Sequence, residues 1–145
     1  MAKVKPAGCL FCQIASGELP AQIVLEEARV LAFLDHRPLF VGHVLLIPKA
    51  HHETLTDLPA SLIEPLFSTA QRLARAVVLA LDADGTFVAM NNSVSQSVPH
   101  LHVHIVPRKK KDGLRGFFWP RRKYAEGEIE STAEKIRAAL SQQGS

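Results

Sequence analysis

The chain has 145 residues, 47% hydrophobic and 21% charged, with a formal net charge of +3; this suits one core-forming domain and excludes a disordered or low-complexity chain. No apolar run approaches the ~20 residues of a membrane span, and Met1-Ala2-Lys3-Val4-Lys5-Pro6 lacks the apolar stretch of a secretion signal, so a cytoplasmic protein without membrane contact is expected. Two cysteines, Cys9 and Cys12, are too few for a disulfide framework, and their spacing fits a metal knuckle or a redox pair.

In chain order, residues 22–25, 29–34 and 43–47 read as short strands separated by turn residues. From about residue 57, where Asp57 suits an N-cap, to about 81, apolar residues recur at Leu62, Leu66, Ala70, Leu73, Val77 and Leu81. That spacing predicts a helix with one face on a sheet, which Pro65 either starts or bends. Asp82-Ala83-Asp84-Gly85 turns the chain into a strand at 86–90, followed by a polar loop at 91–97. A last strand runs from about 100 to 106 and stops at Pro107, and Ile129, Ala133, Ile136 and Leu140 mark a second amphipathic helix. The expected class is α+β: a mostly antiparallel five-stranded sheet with helices against it, as a single domain over 1–145. Its core covers about 9–108, and 109–145 forms a basic and aromatic segment followed by the helix.

Charge is uneven. Residues 108–123 hold eight basic side chains against one acid, Asp112, so this stretch carries +7 and the rest of the chain −4. Such a patch suits phosphate groups of a small molecule, a nucleic-acid backbone, or simply a solvated loop. No nucleic-acid-binding module accompanies it, so nucleic acid is not the expected partner.

The most informative run is His100-Leu101-His102-Val103-His104-Ile105-Val106. On a strand its three histidines share one face, while Leu101, Val103 and Ile105 share the other. Exposed strand faces ordinarily carry Thr, Lys or Glu, so a row of imidazoles points to chemistry. Two readings stay open: a hydrolytic zinc site with the three histidines as ligands, or covalent catalysis by a neutral imidazole whose second nitrogen is fixed by an acceptor. Ser95-Gln96-Ser97 upstream and the basic run downstream make an anion-binding setting, which favours the second.

This run resembles the His-φ-His-φ-His-φ-φ signature, with φ apolar, of the histidine-triad (HIT) superfamily of nucleotidyl hydrolases and transferases. The similarity extends to Gln96-Ser97-Val98, to Gly42-His43-Val44-Leu45-Leu46-Ile47-Pro48-Lys49 and to Ala32-Phe33-Leu34-Asp35. From Cys9 to Arg108 the order and spacing resemble a bacterial member of the Hint or Fhit type. The resemblance implies the HIT-like fold, a homodimer whose sheet continues across both subunits, and a purine nucleotide, AMP first, as the group transferred. It implies release of that nucleotide from a phosphoramidate or a dinucleoside polyphosphate through a nucleotidyl-histidine intermediate. His102 matches the nucleophile and His104 the histidine that binds the α-phosphate; His43 and His100 match the residues that orient the nucleophile. Asp35 matches the residue that binds the ribose hydroxyls. Asn91, Gln96 and Ser97 match positions around the ribose and phosphate, with Ser97 near the leaving group.

The resemblance further implies a structural zinc held by Cys9, Cys12, His51 and His100, with no cofactor required for catalysis. His36 and His52 read as surface residues. Two departures stand out. Ser95 occupies the place of the family's glycine, and the loop from Asn91 is shorter than in the Hint branch, which leaves Asn91 and Asn92 as alternatives for the nucleotide contact. Residues 113–120, with Phe117, Phe118 and Trp119, suit either the leaving group, by stacking and charge, or subunit packing. Alternatives to the enzyme are a nucleotide-binding scaffold with little catalysis and a zinc hydrolase that uses the triad as ligands.

Overall fold

Two strands of the protein read as unbroken apolar runs, Val30-Leu31-Ala32-Phe33 and Val44-Leu45-Leu46-Ile47, and every one of those side chains is buried. A strand can be apolar on both faces only where both faces are covered, so these two form the middle of a two-sided sheet. In the computed structural model, which describes residues 6–115 and 121–143, the strands are β1 (Ile23–Glu26), β2 (Val30–Leu34), β3 (Val44–Pro48), β4 (Gly85–Ala89) and β5 (Val103–Arg108). They form one antiparallel sheet in the order β1-β2-β3-β5-β4. Phe117, Phe118 and Trp119 lie outside the described residues.

Helix α2 (Ala60–Leu81) covers one face. Its Leu62, Leu66, Ala70, Leu73 and Val77 pack on Val30, Ala32, Val44, Leu46, Leu101, Val103 and Ile105. Each large side chain buried this way contributes about 1.5–3 kcal/mol. The other face holds the short helix α1 (Leu10–Ala15), whose Phe11 and Cys12, with Cys9 at its start, pack on Leu31, Phe33, Leu45 and Ile47. The triad's alternation maps onto this division: Leu101, Val103 and Ile105 lie in the α2 layer, and Phe11 meets His100 and His102 edge-on from the α1 side.

Pro65 sits inside α2 rather than at its start. Lacking an N–H, it cannot bond the carbonyl of Ser61 four residues back. The Arg29 guanidinium donates to that carbonyl instead, at 3.3 Å, tying the β1–β2 turn to the helix. Asp57 is not the N-cap of α2. Its carboxylate accepts from the Thr54 N–H and hydroxyl, closing a 3-10 turn over Leu55–Asp57, and α2 begins after Pro59. The last strand also differs from expectation: β5 starts at Val103, so His100 and His102 lie on the extended approach to it, which is pinned by the Leu101 N–H to the His52 carbonyl at 2.7 Å. It then runs through Pro107. There β5 has passed the end of its pairing with β3 and faces only β4, so one side of the strand needs no amide.

By its contacts the chain divides into two compact units, one ending at Asp112 and the other beginning at Gly113. The second holds α3 (Glu128–Gln142), which forms where the periodicity predicts it, with Ile129, Ile136 and Leu140 exposed. Among the described residues no helix is long and apolar enough to cross a membrane.

Gly42 sets the entry to β3 just before His43. Its φ is +97°, and a Cβ built there would run into Cδ1 of Leu81. The leucine tip can rotate away, but the backbone conformation cannot relax. Gly42→Ala is therefore expected to lower unfolding free energy by about 1–3 kcal/mol in a urea titration; a loss under ~0.5 kcal/mol would show that the position tolerates a side chain.

Candidate active site

The His102 ring is 4% exposed and its Nδ1 lies 2.7 Å from the carbonyl oxygen of His100. A carbonyl only accepts, so Nδ1 carries the proton and Nε2 keeps its lone pair. Phe11 meets this ring edge-on at 5.0 Å between centroids, and His104 meets it at the same separation. The ring is thus held from three sides.

A second chain of bonds fixes His104. The Leu39 N–H donates to Nδ1 of His43 at 3.1 Å, so the proton of neutral His43 is on Nε2. That nitrogen lies 2.9 Å from Nδ1 of His104 and donates to it, which leaves His104 with its own proton on Nε2. Burial, reinforced by the neighbouring His102 and His43 and partly opposed by Asp35, pushes His104 down to about 4. Burial lowers His43 as well, against the pull of Asp35, whose Oδ2 is 3.8 Å from Nδ1. The other Asp35 oxygen accepts from the Arg37 N–H at 2.9 Å.

Asp35, Ser97, His102 and His104 line one cleft of about 690 Å³. This volume suits a nucleotide-sized ligand. His43 stands behind His104 rather than in the cleft, and the two partners expected to orient the nucleophile act differently: His43 bonds His104, and His100 holds His102 through its backbone carbonyl. Asn91 and Gln96 brace the 91–97 loop. Asn91 Nδ2 donates to the Ser95 carbonyl at 3.2 Å, while Gln96 accepts from the Ser93 N–H at 2.9 Å and donates to the Glu53 carbonyl at 2.6 Å. Asn92 accepts from the Leu55 N–H at 2.7 Å. Sequence reasoning missed the apolar wall of the cleft, which includes Leu10, Phe11, Ile14 and Phe33. Its signal is the i, i+1, i+4 pattern of α1, too short to stand out in a six-residue helix.

The His100 ring turns away from the cleft. Its Nε2–H donates to the Pro48 carbonyl at 2.8 Å, leaving Nδ1 unprotonated, and burial pushes this histidine down to about 4. Nδ1 of His100 lies 3.5 Å from Sγ of both Cys9 and Cys12 and 3.3 Å from Nδ1 of His51, which is itself 3.3 Å from Sγ of Cys12. Four donors around a tetrahedral zinc, at the usual Zn–S and Zn–N lengths, would be separated by about 3.3–3.8 Å. The residues present therefore fit that ion, and the Pro48 carbonyl is the outer acceptor a metal-binding imidazole normally requires. With both His100 nitrogens committed here and Nδ1 of His102 on a carbonyl, the three triad rings do not converge on one point. His36 is exposed as expected; His52, expected at the surface, is buried at 5% exposure beside the metal-fitting His51 and the approach to β5.

The family model of the HIT domain matches residues 16–111, which span this cleft's central strands and the whole triad. The chain belongs to the HIT family. Among curated relatives, the adenosine 5'-monophosphoramidase HNT1 of Candida albicans is 32% identical over 142 residues, covering 92% of each chain. Among solved structures, that of SMU.412c from Streptococcus mutans superposes with a TM-score of 0.86 at 33% identity, covering 94% of this chain and 87% of that one. A Zn-bound histidine triad family protein from Mycobacterium smegmatis is similar with a TM-score of 0.71 at 36% identity, covering 91% of this chain and 97% of that one. The HIT fold, with its five-stranded antiparallel sheet, is thus the fold of this chain.

The hydrogen-bond chain makes a direct prediction. The imidazole 15N shifts of His104 should report a neutral ring protonated at Nε2 from neutral pH down to about pH 5, with a midpoint near 4 instead of the ordinary ~6.5. Because the folded value lies below the unfolded one, the stability this group supports is intact above pH ~6.5 and declines as pH falls toward 4. A midpoint near 6.5, or the Nδ1-protonated tautomer, would break the relay.

Proposed function

We propose that this HIT protein is a nucleotidyl hydrolase that releases a nucleoside 5′-monophosphate, AMP first, through a covalent intermediate on His102. The observation that carries the reading is the His102 ring: its proton is locked on Nδ1 by the His100 carbonyl, and the ring lines a nucleotide-sized cleft beside His104. In the first step Nε2 of His102 attacks the α-phosphorus; the Nε2–P bond forms as the bond from phosphorus to the leaving amine breaks, and the amine takes a proton relayed from water through the Ser97 hydroxyl and departs neutral. The ring becomes a cation, stabilised by the carbonyl on Nδ1–H. His104, held neutral with its proton on Nε2, donates to a phosphate oxygen as charge builds there. Ser97 stands at the same cleft and serves the leaving-group side. Water then attacks phosphorus and gives up its proton to solvent through the Ser97 hydroxyl; the Nε2–P bond breaks, the nucleoside monophosphate is released and neutral His102 returns. Asp35 accepts from the ribose hydroxyls, and the apolar wall around Phe11 and Phe33 receives the base.

The monophosphoramidase name of the Candida relative supports a phosphoramidate as substrate over a dinucleoside polyphosphate. Zinc at Cys9, Cys12, His51 and His100 would act as a structural cross-link between α1, the segment after β3 and the approach to β5; no step of the reaction passes through it. The exposed β4 edge, with Val88 45% exposed, offers the backbone groups for a second copy to continue the sheet.

Three measurements test this reading. His102→Ala is expected to lower turnover of adenosine 5′-phosphoramidate by at least ~10³-fold while changing AMP affinity less than about threefold; unchanged turnover removes His102 as nucleophile. Quenching wild-type protein in mid-reaction should trap AMP covalently on the chain. AMP binding with neither turnover nor a trapped adduct would instead favour a nucleotide-binding protein. Metal analysis should find one zinc per chain, and Cys12→Ser should lose it and lower the urea midpoint; a metal-free wild type of unchanged stability would remove the cross-link.

A further inference from the structure

The Gln96 side chain spends both polar ends away from the cleft. Its Oε1 accepts from the Ser93 N–H at 2.9 Å and its Nε2–H donates to the Glu53 carbonyl at 2.6 Å. Asn92 adds a parallel link, accepting from the Leu55 N–H at 2.7 Å. Between these links the backbone is in the left-handed region at two residues that are not glycine, Ser93 with φ 69° and Ser95 with φ 58°. Such residues keep that conformation only when their surroundings impose it. The segment they are tied to is firm: the His52 carbonyl receives the Leu101 N–H, and His51 belongs to the buried cysteine–histidine cluster. At the far end of the loop Ser97 lines the cleft with His102 and His104, whereas Gln96 does not.

We propose that Gln96, assisted by Asn92, is a positioning residue that latches the 91–97 loop to residues 53–55 and so holds Ser97 in place before substrate arrives, without itself touching the nucleotide. The inference rests on reading the cleft as a nucleotidyl-transfer site. Donors fixed in advance matter most where charge builds, so the latch acts on turnover more than on binding. Ser95 fits this picture. Where the family's glycine would adopt a positive φ freely, this chain holds a serine there by external bonds, among them the Asn91 amide on its carbonyl.

The test is a double-mutant cycle on adenosine 5′-phosphoramidate hydrolysis, with AMP affinity measured alongside. Gln96→Ala is expected to lower kcat about tenfold while KM and the AMP Kd stay within about twofold. In a Ser97→Ala background the same change should cost almost nothing further, because its effect passes through Ser97. Gln96→Glu keeps the acceptor for Ser93 but loses the donor to Glu53, so its kcat should fall between the two. A tenfold rise in KM and Kd at unchanged kcat, or fully additive losses, would make Gln96 a direct nucleotide ligand and overturn the proposal. Amide hydrogen exchange reads the latch without substrate: Gln96→Ala should speed exchange at Ser93 and leave the sheet unaffected, and unchanged exchange there overturns the latch. If the wild type fails to hydrolyse the phosphoramidate, the proposed activity falls while the exchange result still decides the latch.

Discussion

The hydrogen bond from Nδ1 of His102 to the His100 carbonyl is where fold and chemistry meet in this protein. A side chain bonding a backbone carbonyl two residues earlier needs that peptide to be rotated out of ladder pairing, and β5 indeed begins only at Val103. It also needs the His100 ring out of the way. The Pro48 carbonyl and the cysteine–histidine cluster draw that ring away from the cleft, so the same residue offers its backbone to the nucleophile and its side chain to the scaffold. Phe11 meets both rings edge-on, at 6.0 Å from His100 and 5.0 Å from His102 between centroids.

The sheet supplies the remaining order. One face is closed by α2 and is purely a matter of apolar burial, which leaves the other free to carry polar groups close to a rigid core. His43 at the entry to β3 and His104 within β5 come together because β3 and β5 are neighbours, with Leu45 opposite His104. Their mutual bond thus depends on strand register, and a slip of one residue would put His104 into the apolar layer beneath α2.

Much of this was legible in the sequence. Period-two alternation at 100–106 placed the histidines on one face, and residues 29–34 and 43–47 read as strands where β2 and β3 form. The cluster of Cys9, Cys12, His51 and His100 came from the family resemblance, and the four side chains do meet. What was not legible depends on single bonds between distant residues. Asp57 looked like a cap because acids favour that position, yet Thr54 claims its carboxylate. Pro65 read as either the start of the helix or a bend in it; it sits inside, and Arg29, 32 residues before Ser61, donates to the carbonyl that the proline leaves without a partner amide. His52 looked exposed because histidine is polar, yet its carbonyl anchors the strand approach and carries the ring inward. Gln96 matched a position around the nucleotide by motif, and no motif shows that its amide bonds Ser93 and Glu53.

The pairing of Leu39 with His43 carries a wider implication. A peptide amide gives and never receives, so the sense of every proton along the two imidazoles beyond it is dictated by loop geometry rather than by the solvent. Free histidines would switch between donor and acceptor across the ordinary acidity of a cell. Here a titratable pair has been turned into a one-way wire, with its hydrogen always presented at the open end.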